Sequence, residues 1–220
     1  MGKLKKSMDE LIRYGKMISD KNLVVGPGGN ISFKDGNICY ITPSGLDFNE
    51  IGPKDLVGVD IDTKLIVYGN KKPSSEISMH IKVYRARPDI TVIFHSHPPV
   101  TIGITGAGAK ISALFPDFAL FLGQEIPVID YTTPCTEKLA DMVSEVIVDS
   151  NAITMLKHGL IVVGKNFKEA WIRTVLVEET ARMITAARSI GSEAIITSKE
   201  IEDINDLEIE KYRKKVMEES

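Results

Sequence analysis

The chain has little cysteine: only Cys39 and Cys135 occur in 220 residues. Two thiols so far apart make neither a disulfide scaffold nor a zinc-finger spacing, so a reducing compartment is expected. Excess positive charge is also missing. The 27 Lys and Arg residues face 30 Asp and Glu, a formal net charge of −3. A nucleic-acid partner would require a basic face to neutralise phosphates, so none is expected. No run approaches the ~20 apolar residues of a membrane span, and no membrane partner is expected. The start, Met1-Gly2-Lys3-Leu4-Lys5-Lys6, leads into an amphipathic stretch rather than an apolar signal core. The expected location is the cytoplasm. No internal repeat and no low-complexity linker breaks the chain, and its length suits one domain, 1–220.

What is present is an ordinary globular mixture, 43% hydrophobic and 26% charged. Leu4, Met8, Leu11, Ile12, Gly15 and Ile18 recur at helical spacing, which predicts an amphipathic helix over 3–21. Val25 to Asn30 reads as a Gly-rich loop. Short strands are expected at 31–33 and 38–41, joined by an Asp35-Gly36 turn, with another pair at 56–61 and 65–68. A helix should start near Glu76 and end near Pro88. Thr91 to His97 is rich in β-formers, and 130–134 reads as a loop. Thr136 should cap a helix that buries Leu139, Met142, Val143 and Ile147. Further strands are expected at 152–155 and 160–163. A long helix should follow over 167–189 with the only tryptophan, Trp171, and a charged final helix from Ser198 to about 217. Helices mixed with strands in hairpin order imply an α/β layered fold with a mixed sheet.

Only four histidines occur: His80, His95, His97 and His158. His95 and His97 are two apart in an expected strand, so both imidazoles face one side and can chelate a metal. A catalytic zinc uses three protein ligands and an open fourth position, and His158, read with a later apolar strand, is a candidate third. On spacing alone the three could equally be unrelated histidines satisfied by local hydrogen bonds. Glu76 at a helix start is favoured by the helix dipole, but it could also be a general base beside the metal. His80, four residues on, shares its helical face. A catalytic zinc needs no fourth imidazole, so His80 reads as a packing or supporting residue.

Gly26-Pro27-Gly28-Gly29-Asn30, Thr42-Pro43-Ser44-Gly45 and Ser74-Ser75 are clusters of small and polar residues. Each is an ordinary turn on its own. Together they could offer backbone N–H groups and hydroxyls to a phosphate, with Ser74-Ser75 best placed at a helix start.

Five segments then resemble one known family: Gly-Gly-Asn-Ile-Ser at 28–32, Ile-Thr-Pro-Ser-Gly at 41–45, Pro-Ser-Ser-Glu at 73–76, His-Ser-His at 95–97 and Lys-His-Gly at 157–159. This order resembles the class II aldolase and adducin-head family, and the likeness spans about 3–190. The resemblance implies a three-layer α/β/α domain with a central mixed, largely antiparallel sheet. It implies a homotetramer with active sites between subunits, and zinc, with manganese or cobalt as substitutes, held by His95, His97 and His158 with Glu76 bound or close by. It implies a phosphate site at Gly29, Asn30, Ser44, Gly45, Ser74 and Ser75. The implied activity is that of a fuculose-phosphate-type aldolase, which makes or breaks a carbon–carbon bond in a small ketose phosphate through a metal-stabilised enediolate. Glu76 would move the proton at carbon.

The resemblance also implies a tyrosine supplied by a neighbouring subunit in the segment after His-x-His. No tyrosine lies between Tyr84 and Tyr131. Asp117 is nearest to that place, with a loop acid or helix cap as its plain alternative. Tyr212 matches a second family tyrosine, with packing as its alternative. Relatives on this scaffold include epimerases, sugar-acid phosphate decarboxylases and dehydratases. The epimerase branch carries aspartate at the Glu76 position. The adducin branch is an interaction module without the metal histidines.

Overall fold

Period-two alternation sets the centre of the fold. In β5 (Val92–Ser96), Val92 and Phe94 pack to one side, with Ile93 on the other. The computed structural model describes residues 2–218; Met1, Glu219 and Ser220, included in the expected 1–220 span, lie outside the described residues. The other elements in chain order are α1 (Gly2–Asp20), β1 (Asn30–Asp35), β2 (Ile38–Ile41), β3 (Val57–Asp60), β4 (Ile66–Tyr68) and α2 (Ile77–Ala86). After β5 come α3 (Pro99–Gly106), β6 (Ile111–Ser112), α4 (Pro116–Leu122), β7 (Glu125–Ile126), β8 (Val128–Ile129) and α5 (Glu137–Val146). The chain then forms β9 (Ala152–Met155), β10 (Gly159–Gly164), α6 (Phe167–Ile190), α7 (Ser198–Asp206) and α8 (Glu208–Glu218).

Eight strands form one sheet in the order β4-β3-β2-β1-β5-β10-β9-β8, and β6 pairs with β7 separately. All pairings are antiparallel except β8 with β9. The expected mixed, largely antiparallel sheet is therefore present. Helices cover both faces. Ile41, Ile93 and Ile161 pack under Met79 and Val83 of α2 and Leu139 and Val143 of α5. Ile31, Phe33 and Phe94 pack under Leu11 and Ile18 of α1 and Phe167 and Ala170 of α6. Further along, Leu160 and Val162 meet Val177 and Ala181 of α6 and Phe118 of α4. Each such buried Val, Leu, Ile, Met or Phe side chain contributes about 1.5–3 kcal/mol through area removed from water. A one-residue slip of β5 would exchange its two faces, so this burial also fixes which way His95 points. Among the described residues no helix is long and apolar enough to cross a membrane.

Several expectations shift. The first hairpin pairs Asp35 with Ile38, so its turn is Gly36-Asn37 rather than Asp35-Gly36. The final helix is two helices broken at Leu207, and α7 is capped by Thr197 in a reciprocal pair with Glu200. His97 lies just beyond β5, and His158 is in the tight turn between β9 and β10 rather than in a strand. The 98–129 segment, with α3, α4 and three short strands, had no assignment from periodicity. Its elements are two to eight residues long, too short for a period to show.

A candidate metal and phosphate site

Four neighbouring pieces of backbone deliver one cluster of side chains. The central strand β5 lies between β1 and β10, with Asn30 opposite His95 and Ile161 on the other side. His95 is thereby aimed toward the α2 face. His97 is held just past the strand by its backbone N–H, which donates to Leu23 O at 2.8 Å. The turn carrying His158 closes with its N–H donating to Met155 O at 3.0 Å, and Lys157 takes a left-handed φ of 59°. Glu76 caps α2 but makes no side-chain bond to the helix, so the helix-dipole account leaves its orientation unexplained. Its carboxylate turns to the histidines: Oε2 is 3.1 Å from His95 Nε2, and Oε1 is 3.4 Å from His158 Nε2. Asn30 Nδ2 donates to Glu76 Oε2 at 2.9 Å.

Two glycines allow this approach. Gly29 has φ +70°, and a methyl group there would lie 2.7 Å from His95 O. A methyl at Gly159 would press on Ser96 O and lie 2.8 Å from His97 Cδ2 and 3.2 Å from His95 Cε1.

The electrostatics explain what the cluster can hold. Burial would raise the Glu76 carboxyl, but the charge and hydrogen bond of His95, with His158 and Asn30, hold it well below its usual range. Burial works against protonated His95 too, yet the neighbouring carboxylate raises it. Burial and the neighbouring His95 push both His97 and His158 down to about 4. Those two rings are therefore neutral near pH 7 and offer lone pairs. His95 Nδ1 donates to Leu160 O at 3.0 Å, which directs its Nε2 inward. His95 Nε2 and His97 Nε2 face each other at 3.0 Å.

The ligand atoms of His95, His97 and His158 all lie within 4.8 Å of one another. Glu76 Oε1 is buried without a hydrogen-bond partner. Three converging imidazoles and an unpartnered carboxylate oxygen are a donor set that suits a divalent transition metal. The residues present fit such an ion.

A cleft of about 290 Å³ opens over this cluster, lined by Gly29, Ser44, Gly45, Ser74 and Ser75 together with Glu76, His97 and His158. Backbone bonds lace the three loops together. Thr42 exchanges bonds with Ile31, Ser74 N–H donates to Thr42 O at 3.1 Å, and Ser44 N–H donates to Lys72 O at 3.0 Å. The exposed Ser44, Gly45 and Ser75 face solvent, where an anion could enter. Asn30 also lines the cleft, and its side-chain amide is engaged by Glu76 and His80.

Pro134 and Cys135 also line the cleft, and Cys135 takes φ +64° with its thiol donating to Ser75 Oγ at 3.2 Å. No sequence signal marked Cys135. His80, expected as a packing or supporting residue on the Glu76 face of its helix, reaches Glu76 through Asn30.

Asp117 and Tyr212 are not brought to this cleft. Asp117 is in the first turn of α4, and its Oδ1 accepts from Arg213 Nη2 at 3.0 Å. Tyr212 is exposed on α8, and both line a separate groove of about 410 Å³ with Phe121, Ile172 and Leu176. That groove is larger but none of the four histidines lines it, so the chemistry is argued from the smaller cleft.

Comparison with known proteins gives the family. Residues 9–185 match the family model for the Class II Aldolase and Adducin N-terminal domain. A 5-deoxy-D-ribulose 1-phosphate aldolase of Bacillus thuringiensis serovar kurstaki is 34% identical over 203 residues, 91% of this chain and 94% of its own. An L-fuculose phosphate aldolase of Methanococcus maripaludis is 33% identical over 176 residues, 80% of this chain and 94% of its own. A solved L-fuculose 1-phosphate aldolase superposes with a TM-score of 0.86 at 30% identity, covering 94% of this chain and 96% of that one.

Proposed function

Since this chain belongs to the class II aldolase and adducin N-terminal domain family and is an enzyme of its aldolase type, we propose that it cleaves a ketose 1-phosphate to dihydroxyacetone phosphate and a short aldehyde, or runs the reverse. The observation that carries this reading is the Glu76 carboxylate placed among three histidines at the floor of a small-residue cleft. The relatives named for 5-deoxy-D-ribulose 1-phosphate and for L-fuculose phosphate share the sugar-phosphate substrate class.

His95, His97 and His158 would hold the metal, with Glu76 bound or beside it, and zinc is the ion proposed. When bound, the cation supplies a Lewis acid that withdraws charge from the ketone and adjacent hydroxyl of the sugar. The remaining work belongs to the chain. Serines and glycines of the three loops receive the phosphate through N–H and O–H donors, which fixes the bond to be broken. In synthesis, the Glu76 carboxylate removes a proton from the hydroxymethyl carbon of dihydroxyacetone phosphate, and the resulting carbon attacks the aldehyde. In cleavage the steps reverse: Glu76 starts as the carboxylic acid, the hydroxyl of the departing carbinol carbon loses its proton to a second group, the carbon–carbon electron pair returns to the dihydroxyacetone phosphate carbon, and Glu76 gives its proton to that carbon. Strong lowering of the carboxyl suits the base form that opens the synthetic direction.

The proton on the carbinol hydroxyl requires another group. Asp117 and Tyr212 line a different groove of the same chain. They would serve the cleft of a neighbouring copy, within a homotetramer working in the cytoplasm. The edge strand β4 and its turn expose Leu65, Ile66 and Val67, which favours self-association.

Solvent exchange of the dihydroxyacetone phosphate methylene proton tests the reading without needing the aldehyde. Zinc-loaded protein should catalyse it, and Glu76→Gln should slow it by ~10²-fold or more. Equal exchange in the variant would overturn the role of Glu76.

A further inference from the structure

A line of hydrogen bonds runs away from the cleft through buried side chains that the proposed chemistry leaves unused. Tyr84 Oη is 2.8 Å from Ser32 Oγ, and Ser32 Oγ is 2.7 Å from His80 Nδ1. His80 Nε2 is 2.5 Å from Asn30 Oδ1, and Asn30 Nδ2 reaches Glu76 Oε2 at 2.9 Å. Ser32, Asn30, His80 and Tyr84 are all buried, His80 and Ser32 completely.

The direction of the line can be worked out from its end. An ionised carboxylate only accepts, so the Asn30 amide must turn its NH₂ toward Glu76. Its carbonyl oxygen then faces His80, and an oxygen can only accept, so His80 Nε2 carries a hydrogen. Nε2 must carry it whether the ring is neutral or charged. With a neutral ring, Nδ1 accepts from Ser32 Oγ, whose oxygen in turn accepts from Tyr84 Oη. Tyr84 has a second acceptor, Thr91 O, at 3.2 Å, longer than its contact with Ser32. Turning the Asn30 amide over would set its oxygen against the Glu76 carboxylate oxygen at 2.9 Å.

We infer that His80 is a positioning residue for Glu76: its Nε2–H fixes the Asn30 amide, and that amide holds Glu76 Oε2 beside His95 Nε2 while Oε1 turns toward His158. Oε1 is the oxygen that has no hydrogen-bond partner of its own. His80 thus sets the aim of the group that moves the proton, without touching the substrate. This inference rests on the proposed role of Glu76, but the orientation of the amide does not.

Two substitutions separate aim from packing. His80→Gln can place an N–H where Nε2 stands, whereas His80→Asn reaches only the Nδ1 position and leaves Asn30 without its donor. Both are polar and similarly buried. In zinc-loaded protein, His80→Asn should lower kcat for methylene exchange by ~10- to 100-fold, the scale for losing a partner that orients a metal-site group, while KM stays within about twofold. His80→Gln should recover most of kcat. Equal losses in the two variants, or a loss carried by KM, would overturn the inference. Neutron diffraction from the unmodified protein reads the same point without activity and without a variant that must fold. Deuterium is expected on His80 Nε2 and on the Asn30 nitrogen facing Glu76. Deuterium on Nδ1 alone, with the amide reversed, would overturn it. Wild-type protein inert in methylene exchange would sink the proposed reaction, whereas the neutron result would still decide the orientation of His80 and Asn30.

Discussion

Gly159→Ala perturbs the site through packing alone. Gly159 opens β10 beside the His158 turn, and its missing side chain leaves room for the β5 end. An added methyl would press on the Ser96 carbonyl oxygen and approach His97 Cδ2 to 2.8 Å and His95 Cε1 to 3.2 Å. Ordinary carbon contacts are about 3.5–4.0 Å, so both rings must retreat by several tenths of an ångström. Backbone oxygen and strand-anchored imidazoles yield less readily than the end of a flexible side chain. Overpacking of this kind costs ~1–3 kcal/mol. For a chain of this length each kcal/mol moves the melting temperature by ~2–4 °C, so metal-free Gly159→Ala should melt about 2–12 °C lower. If a similar strain falls on the ligand geometry, zinc affinity should drop by ~5- to 150-fold. Thermal melts of metal-free protein read the first effect, and zinc titration against a competing chelator reads the second. Gly103→Ala in α3 is the control, because nothing lies within 4 Å of its added methyl. It should stabilise by ~0.5–1 kcal/mol. Unchanged zinc affinity and melting in Gly159→Ala would refute the close packing of this glycine against the two imidazoles.

Purified protein should bind about one divalent metal per chain, and chelation should abolish activity while circular dichroism changes little, because a catalytic metal is not the core. Full occupancy in a His95→Ala, His97→Ala double variant would refute the ligand assignment. For pH, burial pushes His80 from an ordinary 6.5 down to about 3. The unfolded chain then binds the extra proton between those values, so the His80 contribution is complete above 6.5 and is lost as pH falls toward 3. That contribution is on the order of 5 kcal/mol. Denaturant titrations of metal-free protein should show His80→Gln losing less stability than wild type between pH 6.5 and 4; equal losses would refute the sign. Ser75→Ala should raise KM for the phosphorylated substrate more than it lowers kcat, and a kcat-only effect would remove Ser75 from the phosphate cradle. Mixing Asp117→Asn chains with Glu76→Gln chains should restore part of the activity if sites are shared between copies. No recovery in assemblies shown to be mixed would confine Asp117 to its own chain.

The sequence by itself determined the elements whose period is long enough to be read. The α1 and α6 helices, the β1–β2 and β9–β10 pairs and the Thr136 cap all follow from local spacing and end signals, because burial of one face repeats along each. It put forward His95, His97, His158 and Glu76 as candidates, with spacing leaving unrelated histidines equally open and the five segments that resemble the class II aldolase family favouring the metal reading. Only tertiary structure decided the rest. That β5 lies between β1 and β10 is a long-range pairing, and it alone sets Asn30 opposite His95. The direction of the Glu76 side chain was open to the helix dipole or to the histidines. Asn30, delivered from 46 residues away, is one of the groups that settle it for the histidines. The place of Cys135 at the cleft, the broken final helix and the separation of Asp117 from Glu76 had no local signature. Each depends on which distant surfaces meet, and hydrophobic patterning specifies that a face is buried without naming the face that covers it.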